Sequence, residues 1–394
     1  MNKWQITRLD QCARIVGGST PKTSVKDYWD GEIYWATPKD LSNLESPNLE
    51  GTPRRITKAG LDSCGAEVLP EGSVLFSSRA PIGHVAINCV PMATNQGFKS
   101  FVPDPEKLDA KFLYYWLRKN RTFFNSLGNG ATFKEVSKAI VSRIEIPLPP
   151  IAQQKRIAAI LDRAEELRGL RRQALAALDA IAQSIFLEMF GNPTDNPHQF
   201  PIKRLIEIVD PNRPISYGIL MPGADQDSGV LYVRVVDMKD GGIELANIRR
   251  TTPEISNAYR RSLLKPYDVL LSIRGHVGRL AIVPSALNAA NITQDTARLA
   301  IKDAEPTFVC ECLRTASFQR WMVKHTKGVA VRGINLGDVK QMPIILPPLN
   351  LQQEFARRVE AIEQLKTTHR ESLAQLDALF ASLQHRAFRG ELSP

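Results

Sequence analysis

"RIEIPLPPIAQQKRIAAIL" runs from Arg143 to Leu161, and near its end the chain says almost the same thing again, "QMPIILPPLNLQQEFARRV", from Gln341 to Val359. In both places a β-rich run gives way to a diproline and then to amphipathic helical sequence. Proline has no N–H to donate and pushes the residue before it into extended backbone, so Pro147, Pro149 and Pro150 exclude helix and set an extended lead-in. The helix is expected to begin at Gln153 and Gln154. Each stretch therefore reads as a joint between a mixed domain and a long helix.

The repetition extends far beyond the joint. "WQITRL" at Trp4–Leu9 matches "FPIKRL" at Phe200–Leu205, and "VLFSSRAPIGHVAI" at Val74–Ile87 matches "VLLSIRGHVGRLAI" at Val269–Ile282. Gly130 falls in step with Gly328, and Pro149-Pro150 with Pro347-Pro348. Order and spacing are kept throughout, which chance apolar similarity would not do.

Within each copy the hydrophobic period changes. The first ~150 residues carry short β-rich runs such as "SVLFSS" and "DVLLSI", broken by Gly, Pro and Asn, together with the helical pieces "DAKFLYYWLRKN" and "PTFVCECLRTASFQRWMV". The last ~40 residues have the three-four rhythm of a coiled-coil seam. In the first copy the seam is Ile157, Ile160, Ala164, Leu167, Ala174, Leu178, Ile181 and Ile185, interrupted by Arg171; in the second it is Phe355, Val359, Ile362, Leu373, Leu376, Phe380, Leu383 and Ala387, interrupted by Lys366 and His369. A helix of ~38 residues is about 57 Å long and needs a partner for its apolar stripe. The other copy is the favoured partner, in antiparallel orientation, with the helix's own domain or another subunit as alternatives. The expected fold is α+β, with a mixed domain over 1–150, a helix over 151–192, a second mixed domain over 193–348 and a second helix over 349–390.

A net charge of +10 favours a polyanionic partner, since a basic protein gains free energy by releasing counterions from nucleic acid. No apolar run approaches the ~20 residues of a membrane span, and the N-terminus lacks the apolar core of a signal peptide; no membrane role and a cytoplasmic location are expected. Cys12, Cys64, Cys89, Cys310 and Cys312 are scattered, without CxxC spacing or a histidine at metal-ligand distance, and read as free thiols.

Catalytic motifs fail one after another. "GVAVRG" at Gly328–Gly333 has the glycines of a phosphate loop, but Ile334 follows instead of lysine. "FGNPTD" at Phe190–Asp195 shares only Asn-Pro with the base-flipping pocket of adenine methyltransferases. "PDPEKLDAK" at Pro103–Lys111 is formally nuclease-like, yet its separation is short and the second copy has no counterpart. His84, His276 and His325 stand beside basic residues with no nucleophile placed for them. No catalytic or metal-binding residue is assigned.

What remains is binding chemistry. Arg79 and Arg274 hold equivalent places, each followed by a turn, by Gly83 or Gly278, and by His84 or Arg279. Arginine can contact guanine or phosphate bidentately, and glycine lets backbone approach DNA; an arginine kept in both copies can equally be a loop anchor. Further candidates in apparent loops are Lys39, Arg54, Arg55, Lys58, Asn95, Gln96, Lys99 and Lys134 in the first domain. In the second they are Arg234, Lys239, Arg249, Arg250, His276, Arg279, Gln294, Lys327 and Arg332. Positions that differ between copies suit base reading best. Tyr28, Trp29, Tyr34 and Trp35 are expected in the core.

Two mixed domains in tandem, each followed by "PLPP…QQ" or its like and a long helix, with "AFRGEL" from Ala387 at the C-terminus, resemble the specificity subunit of type I restriction-modification systems. The resemblance spans nearly the whole chain, from "WQITRLDQCARIVGGSTP" onward, except that the second domain has "PNRPISYG" where the first has "GGSTP". It implies two target recognition domains, each reading one half of a split double-stranded DNA sequence, and an antiparallel helical spacer that docks two modification subunits. S-adenosylmethionine and adenine methylation would belong to those partners, and ATP-driven translocation and cleavage to a restriction subunit. A coiled-coil scaffold, or a DNA-binding protein with its own nuclease or methylase activity, is the alternative.

Overall fold

The computed structural model describes residues 4–42, 44, 46–79, 81–128, 134–239, 241–328 and 332–392; Gly130, matched above with Gly328, lies outside them. The chain divides into two units, Met1–Arg172 with Glu371–Pro394, and Gln173–Arg370. Each contains one mixed domain, the first half of one long helix and the second half of the other.

In the first unit the β-branched and aromatic runs build two sheets. One has the spatial order Ala13–Gly17, Lys99–Pro103, Val74–Phe76, Val85–Asn88, Asn48–Leu49; the other places Trp29–Ala36 between Arg55–Ile56 and a parallel Met92–Thr94. The helix Ala110–Lys119, capped by the Asp109 carboxylate on Phe112 N at 2.9 Å, buries Phe112 to Leu117 against Val74, Phe76 and Phe101. The second unit repeats this design. Its four-stranded sheet runs Ser216–Tyr217, Thr296–Leu299, Val269–Ser272, Leu280–Ile282, and Val230–Val233 lies between Arg249–Thr251 and a parallel Asn291–Ile292. Its helical piece breaks at Thr315 into Pro306–Arg314 and Ala316–His325.

Both joints are closed in one way. Gln5–Arg8 pairs antiparallel with Glu145–Leu148, and Ile202–Arg204 with Pro343–Ile345, so each domain ends on a strand beside its first. The long helices, Ile151–Phe190 and Leu349–Ala387, then start directly after the diprolines, two residues before Gln153 in the first copy. Proline is tolerated at the first turn because the N–H it lacks would have no helical acceptor; this is why the helix starts earlier than expected. Gln154, fully buried, accepts a hydrogen bond from Asp109 N at 2.9 Å and donates to the carbonyls of Lys107 and Pro149 at 2.7 and 2.8 Å. Gln352 does the same with Glu305 N at 2.9 Å and the Pro347 carbonyl at 2.7 Å. In both units one buried amide ties the joint to the cap of the domain helix.

The helices pair antiparallel. In the first unit Ile157, Leu161 and Ala164 share a core with Phe380 and Ala387; in the second Phe186 and Phe190 pack with Phe308, Phe355 and Val359. The seam departs from its expected course at Ile181, which is about half exposed, while Ala182, Phe186 and Phe190 carry the burial. The Phe308–Phe355 cluster recruits that face, which the helix's own rhythm does not reveal. Lys366 does not interrupt the seam: it is 3% exposed, with its ammonium 2.6 Å from Asp179 and also paired to Glu363. Arg168 repeats this with Asp377 and Glu165, both at 2.6 Å, and lies over the Phe380 ring. Arg168 to Lys366, Glu165 to Glu363 and Asp179 to Asp377 all keep the step that separates Pro149 from Pro347. An 18-residue window of the first long helix reaches a mean hydropathy of 1.2, enough by length and composition to cross a membrane. The expectation that no run comes near this fails because the helix's charged residues concentrate before Gln173. Phe186 and Phe190 are nevertheless core residues of the second unit.

Candidate nucleic-acid interface

One loop occurs in both domains, and a serine organises it. Ser77 Oγ donates to the Pro81 carbonyl at 2.7 Å and accepts from His84 N at 2.8 Å, while Gly83 N reaches back to the Ser77 carbonyl at 2.9 Å. Ser272 Oγ likewise donates to the His276 carbonyl and accepts from Arg279 N at 2.7 Å, and Gly278 N reaches the Ser272 carbonyl at 3.0 Å. Gly83 and Gly278 have φ of 89° and 97°, which glycine adopts without penalty. The backbone of Arg79 bridges to Glu135, and that of Arg274 to Gly333, so each loop lies beside the segment that precedes the domain's last strand.

The arginine is thus anchored in both domains through its backbone, and the two side chains then part company. Arg79 Nε donates to Glu135 at 2.7 Å, and Lys99 pairs with the same carboxylate at 3.1 Å. Partial burial alone would raise the Glu135 pKa, but the hydrogen bonds from Arg79 and Lys99 outweigh it and hold the group below the ordinary carboxylate range. Arg274 Nη1 donates to Gln294 Oε1 at 3.0 Å. Around these arginines gather Lys134 in the first domain, and Arg332, Lys327 and His276 in the second, all exposed. Gly275 N bonds the Arg332 carbonyl at 3.0 Å, and Lys327 is 3.7 Å from Asp338. Gln96 accepts from the Thr20 hydroxyl, and Asn95 caps Gly97 N at 2.9 Å.

A second basic face of the first domain stands on aromatic residues. Trp35 is buried as expected, but Tyr28, Trp29 and Tyr34 are only half-buried. The Arg54 guanidinium lies 4.2 Å from the Trp29 ring and 4.8 Å from the Trp35 ring, and Arg55 lies 4.3 Å from Tyr34. The edge sheet leaves these rings uncovered on one side and the arginines stack there. Lys39 is exposed on the short helix Pro38–Ser42, and Lys58 pairs with Asp62 at 2.7 Å.

Several candidates of the second domain are occupied by local structure. Arg234 donates to Asp237 and to the Asn247 carbonyl, and the bond to Asp237 raises its pKa further; its role is to hold a turn. Arg250 donates to the Gly229 carbonyl at 2.9 Å, Arg249 lies 3.9 Å from Asp225, and Lys239 pairs with Glu244 at 2.6 Å. Arg279 reaches the Val235 carbonyl at 3.2 Å. The nuclease-like stretch is structural too: Asp109 caps its helix and Lys111 pairs with Asp162 at 2.5 Å. Among the described residues no group of three or more His, Cys, Asp or Glu side chains is arranged to hold a metal. Sequence reasoning missed Glu135, whose partner Arg79 is 56 residues away, and Thr20, 76 residues from Gln96; neither separation has a local signal.

The family model "Type I restriction modification DNA specificity domain" matches residues 1–179 and 225–378. The chain belongs to the type I restriction-modification DNA specificity family. Two curated members of it align along essentially the whole chain. The type I restriction enzyme MjaIX specificity subunit of Methanocaldococcus jannaschii is 27% identical over 99% of this chain and 93% of its own length. The EcoBI specificity subunit of Escherichia coli is 29% identical over 100% and 87%. Two solved structures share the fold. A chain from work on complex assembly and conformational transition of the type I R-M system superposes with a TM-score of 0.57 at 22% identity, covering 100% of this chain and 99% of that one. The S subunit from M. genitalium superposes at 0.55 and 13% identity, covering 98% and 96%. The family is one of DNA specificity subunits, and the Ser77 and Ser272 loops recur in its two matched segments.

Proposed function

We propose that this specificity chain reads a bipartite double-stranded DNA target, one half-site per domain, in the cytoplasm, and directs adenine methylation and restriction by partner subunits. Two modification subunits would dock on the paired helices and hold S-adenosylmethionine; a restriction subunit would supply ATP-driven translocation and cleavage. The observation that carries the reading is the repeated loop: its backbone hydrogen bonds are the same in both domains, while the side chains it presents differ. A frame kept constant under changing side chains is what two readers of different sequences require, because phosphate and backbone contacts position a protein on DNA and side chains on base edges specify it. The paired helices would act as a ruler, placing the domains about one helical turn (~34 Å) apart on one side of the duplex.

The test is to remove one heptad from each long helix, between Arg168 and Asp179 in the first and between Lys366 and Asp377 in the second, and to sequence the methylome of cells carrying the complete system. The expected result is an unchanged pair of half-sites with a shorter permitted gap, or loss of modification. An unchanged gap rejects the ruler.

A further inference from the structure

The two domains carry the same loop but give its arginine a different partner. Opposite Arg79 stands Glu135, shared with Lys99. Opposite Arg274 stands Gly333, and strand register puts Ala297 where the first domain has Lys99. The acid and the lysine are replaced together, so the first arrangement is a unit. An acid there would be tight in the second domain: a Cβ on Gly333 would lie 3.0 Å from the Ile273 carbonyl oxygen and 3.1 Å from Arg274 Cγ, so those neighbours would have to give by a few tenths of an ångström. Asp295 contributes its backbone carbonyl, to Ile273 N at 2.7 Å and Arg274 N at 3.3 Å, and among the described residues its carboxylate forms no ion pair. Arg274 bonds Gln294, and among the described residues it forms no ion pair.

These partners have opposite consequences. A carboxylate cancels the charge of the guanidinium and takes its Nε donor, so the side-on Nε/Nη fork is closed. An amide oxygen on one Nη fixes the guanidinium plane and leaves its charge and most of its donors in place. Exposed Arg332 and Lys327 beside Arg274 are suited to the phosphates that would flank a base contact.

From this difference we infer that Arg274, positioned by Gln294, reads one base pair of the half-site taken by the second domain, whereas Arg79 is a loop latch that reads none. The inference rests on the DNA-reading function proposed above and adds to it which of the two repeated arginines is specificity-determining. The base suited to the planar fork is guanine, through O6 and N7 in the major groove.

The experiment is enrichment of a random-sequence duplex library on the full chain, followed by sequencing, for the natural protein and for Arg274→Ala, Arg274→Lys, Gln294→Ala and Arg79→Ala. The natural protein is expected to enrich a two-part motif. Arg274→Ala is expected to relax one G·C position in one half-site, on the order of 10-fold or more, with the other half-site unchanged. That second half-site reports in the same experiment that the chain is folded. Arg274→Lys keeps the charge but not the fork and is expected to relax the same position; Gln294→Ala should weaken the preference there, and Arg79→Ala should relax no position. A motif whose every position survives Arg274→Ala, a uniform loss across that half-site, or a base relaxed by Arg79→Ala overturns the inference while leaving the DNA-reading function standing. Failure of the natural chain to enrich any two-part motif counts against that function itself.

Discussion

At the scale of single residues, Glu135 does the most to distinguish the two domains, because it decides what Arg79 is able to do. Its folded pKa lies below the ordinary range, so its pairing contributes stability that is fully present above the unfolded carboxylate value of about 4.5 and is lost as pH falls through the depressed folded value. Arg79 and Glu135 side chains are 47% and 28% exposed, which limits the contribution to about 1 kcal/mol or less. Urea unfolding of the natural chain and of Glu135→Gln is therefore expected to differ by a constant small amount at neutral pH and to converge as pH falls from the unfolded value through the depressed folded one. A difference that grows on acidification would mean that Glu135 is strained, not stabilised, by its partners.

At the scale of elements, the joints and the helix seam were legible in the sequence to different depths. The diprolines announced where each domain ends, since proline acts through local backbone chemistry. The partner of each long helix was open between three possibilities, and the Arg168 and Lys366 ion-pair triads, which cross between the two helices, settle it. The expected seam held at Phe355, Val359 and Ile362, where the buried residues fall on the helix's own period, and failed at Ile181, where a neighbouring aromatic cluster selects the face. Lys366 read as an interruption because a lone cation in an apolar stripe shows no partner until Asp179 arrives from the other helix. Gln154→Ala would remove the partner of Asp109 N and of the carbonyls of Lys107 and Pro149 and is expected to destabilise the first unit by about 1–2 kcal/mol, as Gln352→Ala should the second. Thermal unfolding followed by circular dichroism checks this, and a loss under ~0.5 kcal/mol, the size of an ordinary surface change, would refute the joint's role. Lys366 is a different case. Asp179 and Glu363 are 56% and 45% exposed and can rehydrate, so Lys366→Met is expected to cost within about 1 kcal/mol, and Lys366→Ala, which also opens a hole, about 2. Equal losses for the two variants in urea titrations would assign the stability to charge and not to packing.

At the scale of the whole molecule, the doubling was legible and the asymmetry was not. Pairs such as Val74 with Val269 need only a linear comparison, but the replacement of Glu135 and Lys99 by Gly333 and Ala297 has meaning only once the strands bring those positions beside the repeated arginines. Charge provides a measure that spans both domains. With a net charge of +10, affinity for random duplex should fall steeply with salt, by about 0.9 logarithmic units per decade for each phosphate neutralised. Lys134 and Arg332 occupy equivalent positions beside the two loops, and among the described residues neither has a carboxylate partner. Lys134→Ala and Arg332→Ala are each expected to reduce the slope of log affinity against log salt by about one, and the double variant by about two, without changing base preference. Fluorescence anisotropy between 50 and 200 mM salt, on the scale where such slopes are resolved, separates the cases. If Arg332→Ala lowers the slope and Lys134→Ala does not, Lys134 makes no phosphate contact and the two loops do not meet DNA in the same way.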